Sequence, residues 1–235
     1  MHMRQVLASA AASALVLVGL GTATATAATT VVAPTAATSA PTIPTASPAA
    51  IQFPSSPTDC SSTFFAGDYR LGPDQLPVFG PAGFELLGYR RTGDLTEQQL
   101  FSQYYDSTAH SWIYPPDSGY LIIAGRPVEI HLTLTPGQDI DRYGSEYGSF
   151  LAPEGLPYAM RAIPPQSLDS TPAAICNYHD YRVLKPFAVD AGPIAPWFGQ
   201  PGLGLQYQLD ASLVPGGPTV LNVMWLVANG YLQRL

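Results

Sequence analysis

The chain has 235 residues, with 10 Lys+Arg, 17 Asp+Glu, 2 Cys and a formal net charge of −7. Its length fits one large domain or two small ones, and 46% apolar residues suffice for a core, yet only 11% are charged, against roughly 25% in an average soluble domain. With 21 Gly and 24 Pro the composition argues against a bundle of long helices. The acidic balance, with Lys185 the single lysine, argues against nucleic acid or anionic lipid as a partner.

Residues 1–28 read as a secretory leader: His2 and Arg4 precede an uncharged run from Val6 to Leu20, followed by the small-residue steps Ala23-Thr24-Ala25 and Ala25-Thr26-Ala27. An uncleaved anchor is the alternative, but the run is short against the ~20 residues a span needs. No later stretch is long and apolar enough to cross a bilayer, so the mature chain is expected to have no membrane span. Residues 29–58 carry no charge and are dominated by Thr, Ala, Pro and Ser, the composition of a disordered stalk. Cys60 and Cys176 are the only cysteines, and in an exported chain they are expected to form one disulfide. Such a bridge is worth roughly 4–5 kcal/mol of chain entropy. The alternative is a reactive Cys176 beside His179.

From residue 59 onward, Gly-Pro, Pro-Pro and Pro-Gly steps recur about every ten residues. Residues 120–124, 128–134, 181–184 and 206–209 are strand candidates, and 129–134 alternates polar with apolar as a half-buried strand does. Thr96 is placed to cap a helix over 96–105, with Glu97 at its positive end. Residues 220–232 fit either a helix or a strand hairpin. The fold class is α+β and strand-dominated, with a soft boundary near Arg126-Pro127. It separates an N-terminal appendage at 59–127 from a chemistry-bearing domain at 128–235.

Four blocks carry the chemical signal. They are Asp141-Arg142-Tyr143-Gly144-Ser145, then Gly148-Ser149-Phe150-Leu151-Ala152-Pro153, then 158–165 with Arg161, then Ala195-Pro196-Trp197-Phe198-Gly199-Gln200-Pro201-Gly202, ending at Gln206-Tyr207. In this order they resemble the TNT domain, the NAD-hydrolysing domain of the tuberculosis necrotizing toxin, and more closely the secreted fungal surface NAD glycohydrolases that share it. The resemblance covers roughly residues 59–210. It implies a TNT-type core of antiparallel sheets with an N-terminal appendage. Two departures stand out: Tyr143 where the family usually has Phe, and Gly202-Leu203-Gly204 where it usually has three glycines. No Asp or Glu follows Asp210, so the acidic calcium site of some fungal relatives is not carried over.

Cleaving the nicotinamide–ribose bond expels a neutral group from a cationic one, so no proton need be donated to it. The enzyme must stabilise an oxocarbenium-like ribose and hold the dinucleotide still. A pair of glycosidase carboxylates is therefore unnecessary. Guanidinium groups match a diphosphate, glycine backbones cradle phosphate, and aromatic faces stack on nicotinamide. On the resemblance, Arg161 is an essential arginine and Gln200 is assigned to ribose hydroxyls or the attacking water. Arg142, Gly144 and Ser145 are assigned to the diphosphate and ribose cradle, and Tyr143, Phe150 and Trp197 to the pocket wall. Each has a structural alternative: Arg161 paired with Glu154 or Asp141, Gln200 a turn residue, Arg142 paired with Asp141, the aromatics core. His179 is read as structural or exposed, Glu146 and Glu154 are left outside the catalytic set, and His110 and His131 lack ligand-like spacing, so no zinc site is expected.

The expectation is thus a secreted or cell-surface NAD+ glycohydrolase, acting also on NADP+ as the resemblance implies, with no metal or organic cofactor. The resemblance also implies a homodimer and, for toxin-type members, an immunity protein. The alternatives are an ADP-ribosyl transferase or cyclase, and a non-catalytic surface binding protein.

Overall fold

The structure is a computed structural model that describes residues 58–235. The leader at 1–28 and the stalk at 29–58, save its last residue, lie outside the described residues.

Seven strands build the central layer: β1 (Ile130–Leu134), β2 (Asp139–Tyr143), β3 (Phe150–Pro153), β4 (Tyr178–Val183), β5 (Phe187–Pro193), β6 (Leu205–Gln208) and β7 (Leu232–Arg234). They form one antiparallel sheet in the order β7-β4-β2-β3-β6-β5-β1. The alternation read at 129–134 holds for Leu134 in the core and Leu132 packed against it, but fails at Ile130, which is exposed on this edge strand. In β2, Ile140 faces the main core while Asp141 and Tyr143 face the other side. The sheet thereby delivers the Asp-Arg-Tyr block to a fixed place.

The main core gathers Leu134, Ile140, Tyr181, Val189 and Tyr207 from the sheet with Val223 and Leu226 from a short helix. That helix settles the ambiguous C-terminal stretch, which is both elements in turn. The segment Val223–Ala228 is helical, capped by the Asn222 side chain on the Trp225 N–H (2.9 Å), and β7 follows it. The helix expected near 96–105 spans Glu97–Tyr104, and Thr96 and Gln99 form a full capping box.

The segment before β1 has little regular structure of its own, with short helices at Gly80–Glu85 (α1) and Glu97–Tyr104 (α2) and two-residue ribbons. It is nonetheless welded to the sheet. The described residues fall in one compact unit, so the change in sequence character near Arg126-Pro127 is not a division between bodies. Two further apolar clusters straddle that point: Leu86 packs with Tyr143 and Tyr158, and Leu100, Tyr104 and Trp112 pack with Phe198. Cys60 and Cys176 form the disulfide, at a sequence separation of 116, which removes the reading of Cys176 as a nucleophile. Among the described residues no helix is long and apolar enough to cross a membrane.

Candidate active site

A cavity of about 480 Å³ opens where the end of β2 meets β3, the 158–163 turn, the start of β6 and the loop at 114–119. Arg142 lines one wall. Its Nε donates to Ser145 O (2.7 Å) and its Nη1 to Phe150 O (2.7 Å), and among the described residues it has no salt-bridge partner. Burial lowers its pKa from the usual arginine value, which leaves the group a cation. Carbonyls fix the fork and no carboxylate cancels its charge. The local sequence makes this possible: a Cβ on Gly148 would sit 1.9 Å from Arg142 Nη2, so only glycine lets the guanidinium lie against the backbone. Gly144 turns the chain at φ +107°, where other residues are strained.

Arg161 lies at the cavity floor, 5% exposed, and the structure gives it the structural pairing as well. Its Nη1 and Nη2 donate to the two Asp141 carboxylate oxygens (2.5 and 2.8 Å) and Nη2 also reaches Glu85 Oε2 (2.8 Å). Nε and Nη2 approach Leu156 O (3.1 and 2.9 Å). The Tyr143 ring covers the guanidinium, with its centre 5.1 Å from Cζ, and packs edge-on against Tyr158. Burial, aided by a hydrogen bond with Asp141, pushes the Glu85 carboxyl up to about 9, against the opposing pull of Arg161. That direction favours a protonated Glu85 beside the Arg161–Asp141 ion pair. Arg142 is the uncompensated cation of the cavity.

Of the residues assigned from sequence, the structure brings Arg142, Tyr143, Gly144, Phe150 and Arg161 to this one cavity. It places three elsewhere. The Ser145 carbonyl holds Arg142 from outside the lining, and its hydroxyl accepts the Tyr147 N–H (3.3 Å). Trp197 donates to Ile113 O (2.7 Å) and packs on Tyr104. Gln200 is 5% exposed and donates to Arg90 O (2.8 Å). Its bend interlocks with the 90–93 turn so closely that a Cβ on Gly93 would meet Gly199 O at 1.8 Å. Gln200 thus occupies the turn position that was its structural alternative, away from the cavity lining.

The cavity has an amide that sequence reasoning passed over. Gln206, on β6 and 8% exposed, lines it and donates through Nε2 to Ser118 O (2.9 Å). A carbonyl oxygen only accepts, so the –NH2 end must face Ser118 and the acceptor oxygen is left free. The signal was a glutamine at a buried position in a strand candidate, where an apolar residue is the norm. Tyr114, Pro115, Ser118 and Gly119 complete the rim from the preceding segment. Ser118 (φ 56°) and Asp117 (φ 49°) are both left-handed, a conformation that costs energy and is held over the site by contacts such as the Gln206 bond to Ser118 O. His179 pairs with Arg142 across β2 and β4 but does not line the cavity, and burial lowers its pKa. Among the described residues no group of three or more His, Cys, Asp or Glu is placed to hold a metal ion.

A family model described as tuberculosis necrotizing toxin matches residues 133–235. The chain is similar to the conidial surface nicotinamide adenine dinucleotide glycohydrolase nadA of Aspergillus fumigatus, 41% identical over 179 residues that cover 74% of this chain and 72% of that protein. Among solved structures, the tuberculosis necrotizing toxin complexed with its immunity factor is similar at 21% identity and a TM-score of 0.44, over 59% of this chain and 71% of the toxin chain.

Proposed function

The chain belongs to the NAD glycohydrolase family that carries the tuberculosis necrotizing toxin domain, and on that footing we propose that the dinucleotide is held and cleaved in the cavity beside Arg142. The protein is an NAD+ glycohydrolase that breaks the nicotinamide–ribose bond to give nicotinamide and ADP-ribose. It is a secreted or cell-surface protein, like the conidial surface relative.

The observation that carries the site assignment is the Arg142 guanidinium, half-buried, fixed by two backbone carbonyls and free of any carboxylate among the described residues. A diphosphate is the anion that matches it. The backbone around Gly144 supports the phosphates, and the Phe150 and Tyr143 rings wall the nicotinamide and its ribose. Gln206 presents its carbonyl oxygen to the ribose or to the attacking water. An amide oxygen accepts a hydrogen bond and stabilises developing positive charge without itself titrating. Arg161, neutralised by Asp141, fixes the floor and keeps one Nη1 N–H for the substrate. The leaving nicotinamide is neutral, so water attacks C1′ of the ribose and its proton passes to solvent or a phosphate oxygen.

NADP+ is proposed as a second substrate, and no metal or organic cofactor is assigned to the reaction. A homodimer and an immunity protein rest on the family resemblance alone and belong to the same proposal. Nicotinamide release from NAD+ by the purified protein tests the reading, with Arg142→Ala and EDTA alongside. The expected result is stoichiometric free ADP-ribose, unaffected by EDTA, with KM raised about 10- to 150-fold on Arg142→Ala. Release without free ADP-ribose would instead favour transfer or cyclisation.

A further inference from the structure

We propose that Glu85, supplied by the segment that precedes the matched family domain, is a positioning residue for NAD cleavage that fixes Arg161 against Asp141 beneath the Tyr143 ring. The proposal rests on the reading that this cavity holds the dinucleotide. Glu85 is the last residue of α1, and its side chain is 2% exposed. Its two oxygens are committed: Oε1 accepts the Gly155 N–H (2.9 Å) and Oε2 accepts from Arg161 Nη2 (2.8 Å). Neither bond is local, since Glu85 is 70 residues from Gly155 and 76 from Arg161. The family model begins at residue 133, so a domain cut there would lack this group.

Arg161 already has a full carboxylate partner in Asp141. A second ionised carboxylate would leave the floor with a net negative charge beside the proposed diphosphate site. A protonated Glu85 avoids this: it pins the guanidinium and adds no charge. The groups that face it are Asp141 and Tyr143 from β2, Arg161 from the 158–161 turn, and Tyr178 from β4, whose hydroxyl donates to Asp141 (3.4 Å). Burial raises both tyrosines above their ordinary range, so Glu85 is the member expected to lose a proton first on the alkaline side. Losing it places a negative charge near the substrate phosphates. A like charge in the cavity floor is expected to weaken binding of the anionic substrate about tenfold, the order of a unit-charge interaction at an effective dielectric of about 20.

The test uses the full chain, with Glu85→Gln and Glu85→Ala as variants, and reads KM and kcat for nicotinamide release and calorimetric binding of ADP-ribose from pH 6 to 10. Glu85→Ala is expected to lower kcat/KM by about 10- to 100-fold through loss of the Arg161 contact. Glu85→Gln keeps an acceptor and a donor in place and is expected to restore most of that loss. In the wild type KM and the ADP-ribose Kd rise about tenfold between pH 8 and 10, and in Glu85→Gln both stay flat. Parallel pH profiles for the wild type and Glu85→Gln would overturn the proposal, even if Glu85→Ala fails to fold. A wild type that binds no ADP-ribose at any pH would overturn the site reading and this proposal with it. Intact binding that neither variant alters would overturn this proposal alone.

Discussion

Gly148→Ala is the sharpest probe of the cavity, because it displaces Arg142 without touching its chemistry. The new Cβ would lie 1.9 Å from Nη2, 2.4 Å from Cζ and 2.8 Å from Nη1 of Arg142. Those atoms are the far end of a flexible side chain, so the guanidinium swings away while the backbone stays. Its bonds to Ser145 O and Phe150 O are replaced largely by water, at about 1 kcal/mol each. For a domain of this size that is a melting shift of about 4–8 °C. A charge-assisted contact with a diphosphate is worth about 1.5–3 kcal/mol, or about 10- to 150-fold. The diphosphate is held equally before and during bond cleavage, so the loss falls on KM, with kcat little changed. Kinetics of nicotinamide release across NAD+ concentrations measure it, beside a thermal melt. Adding Gly148→Ala to Arg142→Ala should cost nothing further, because both remove one interaction. An unchanged KM in a folded Gly148→Ala protein would refute the diphosphate assignment and leave Arg142 as a structural pin for the 145–150 turn.

Gln206→Ala is expected to lower kcat by about 100-fold with a modest melting change. Gln200→Ala should act in the opposite sense, because it removes one hydrogen bond to the Arg90 carbonyl, which keeps the Gly93 N–H (2.9 Å), at about 0.5–1.5 kcal/mol of stability, with the smaller effect on kcat. Paired kinetics and melts separate the two glutamines. Reduction of Cys60–Cys176, or its double serine variant, releases a loop of 116 residues and is expected to cost up to about 5 kcal/mol, read by denaturant titration. Stability should also fall as pH rises from about 5 to 9. Native Glu85 holds its proton up to about 9, whereas the unfolded chain releases it in the ordinary carboxylate range, so the native state binds more protons in that window. Melting temperatures across that range should decline less steeply for Glu85→Gln, and parallel declines would contradict the assignment.

What sequence made legible was local. The capping box of α2 needs only Thr96 and Gln99, three residues apart, and β1 is written in six consecutive residues, although Ile130 at its start faces solvent. The Asp-Arg-Tyr-Gly block names Arg142, Tyr143 and Gly144 together because one strand end and one turn hold them. β5 was less legible because Gly192-Pro193 reads as a turn. In the fold Gly192 lies within a strand, where a Cβ would meet Val128 O at 2.1 Å and the Tyr120 ring at 2.9 Å. Its glycine is demanded by a neighbour more than sixty residues away, which no window along the chain reveals. Gln200 and Gln206 show the same limit from the other side. Both are buried amides near one motif, and only the partners, Arg90 O for one and Ser118 O for the other, tell turn from cavity.

Those partners explain why the segment before β1 belongs to the site. The sheet alone supplies Arg142, Tyr143, Phe150 and Gln206, but it leaves Gln206 free to flip and Arg161 with one carboxylate. Ser118, 88 residues from Gln206, fixes which end of the amide meets the cavity. Glu85 fixes the arginine, and Tyr114 and Pro115 roof the space. A reaction whose leaving group departs neutral asks little of acids and bases and much of placement. The strained Asp117-Ser118 turn and the buried Glu85 are costs of placement, carried by a segment with few regular elements and offset by its two shared apolar clusters and its disulfide.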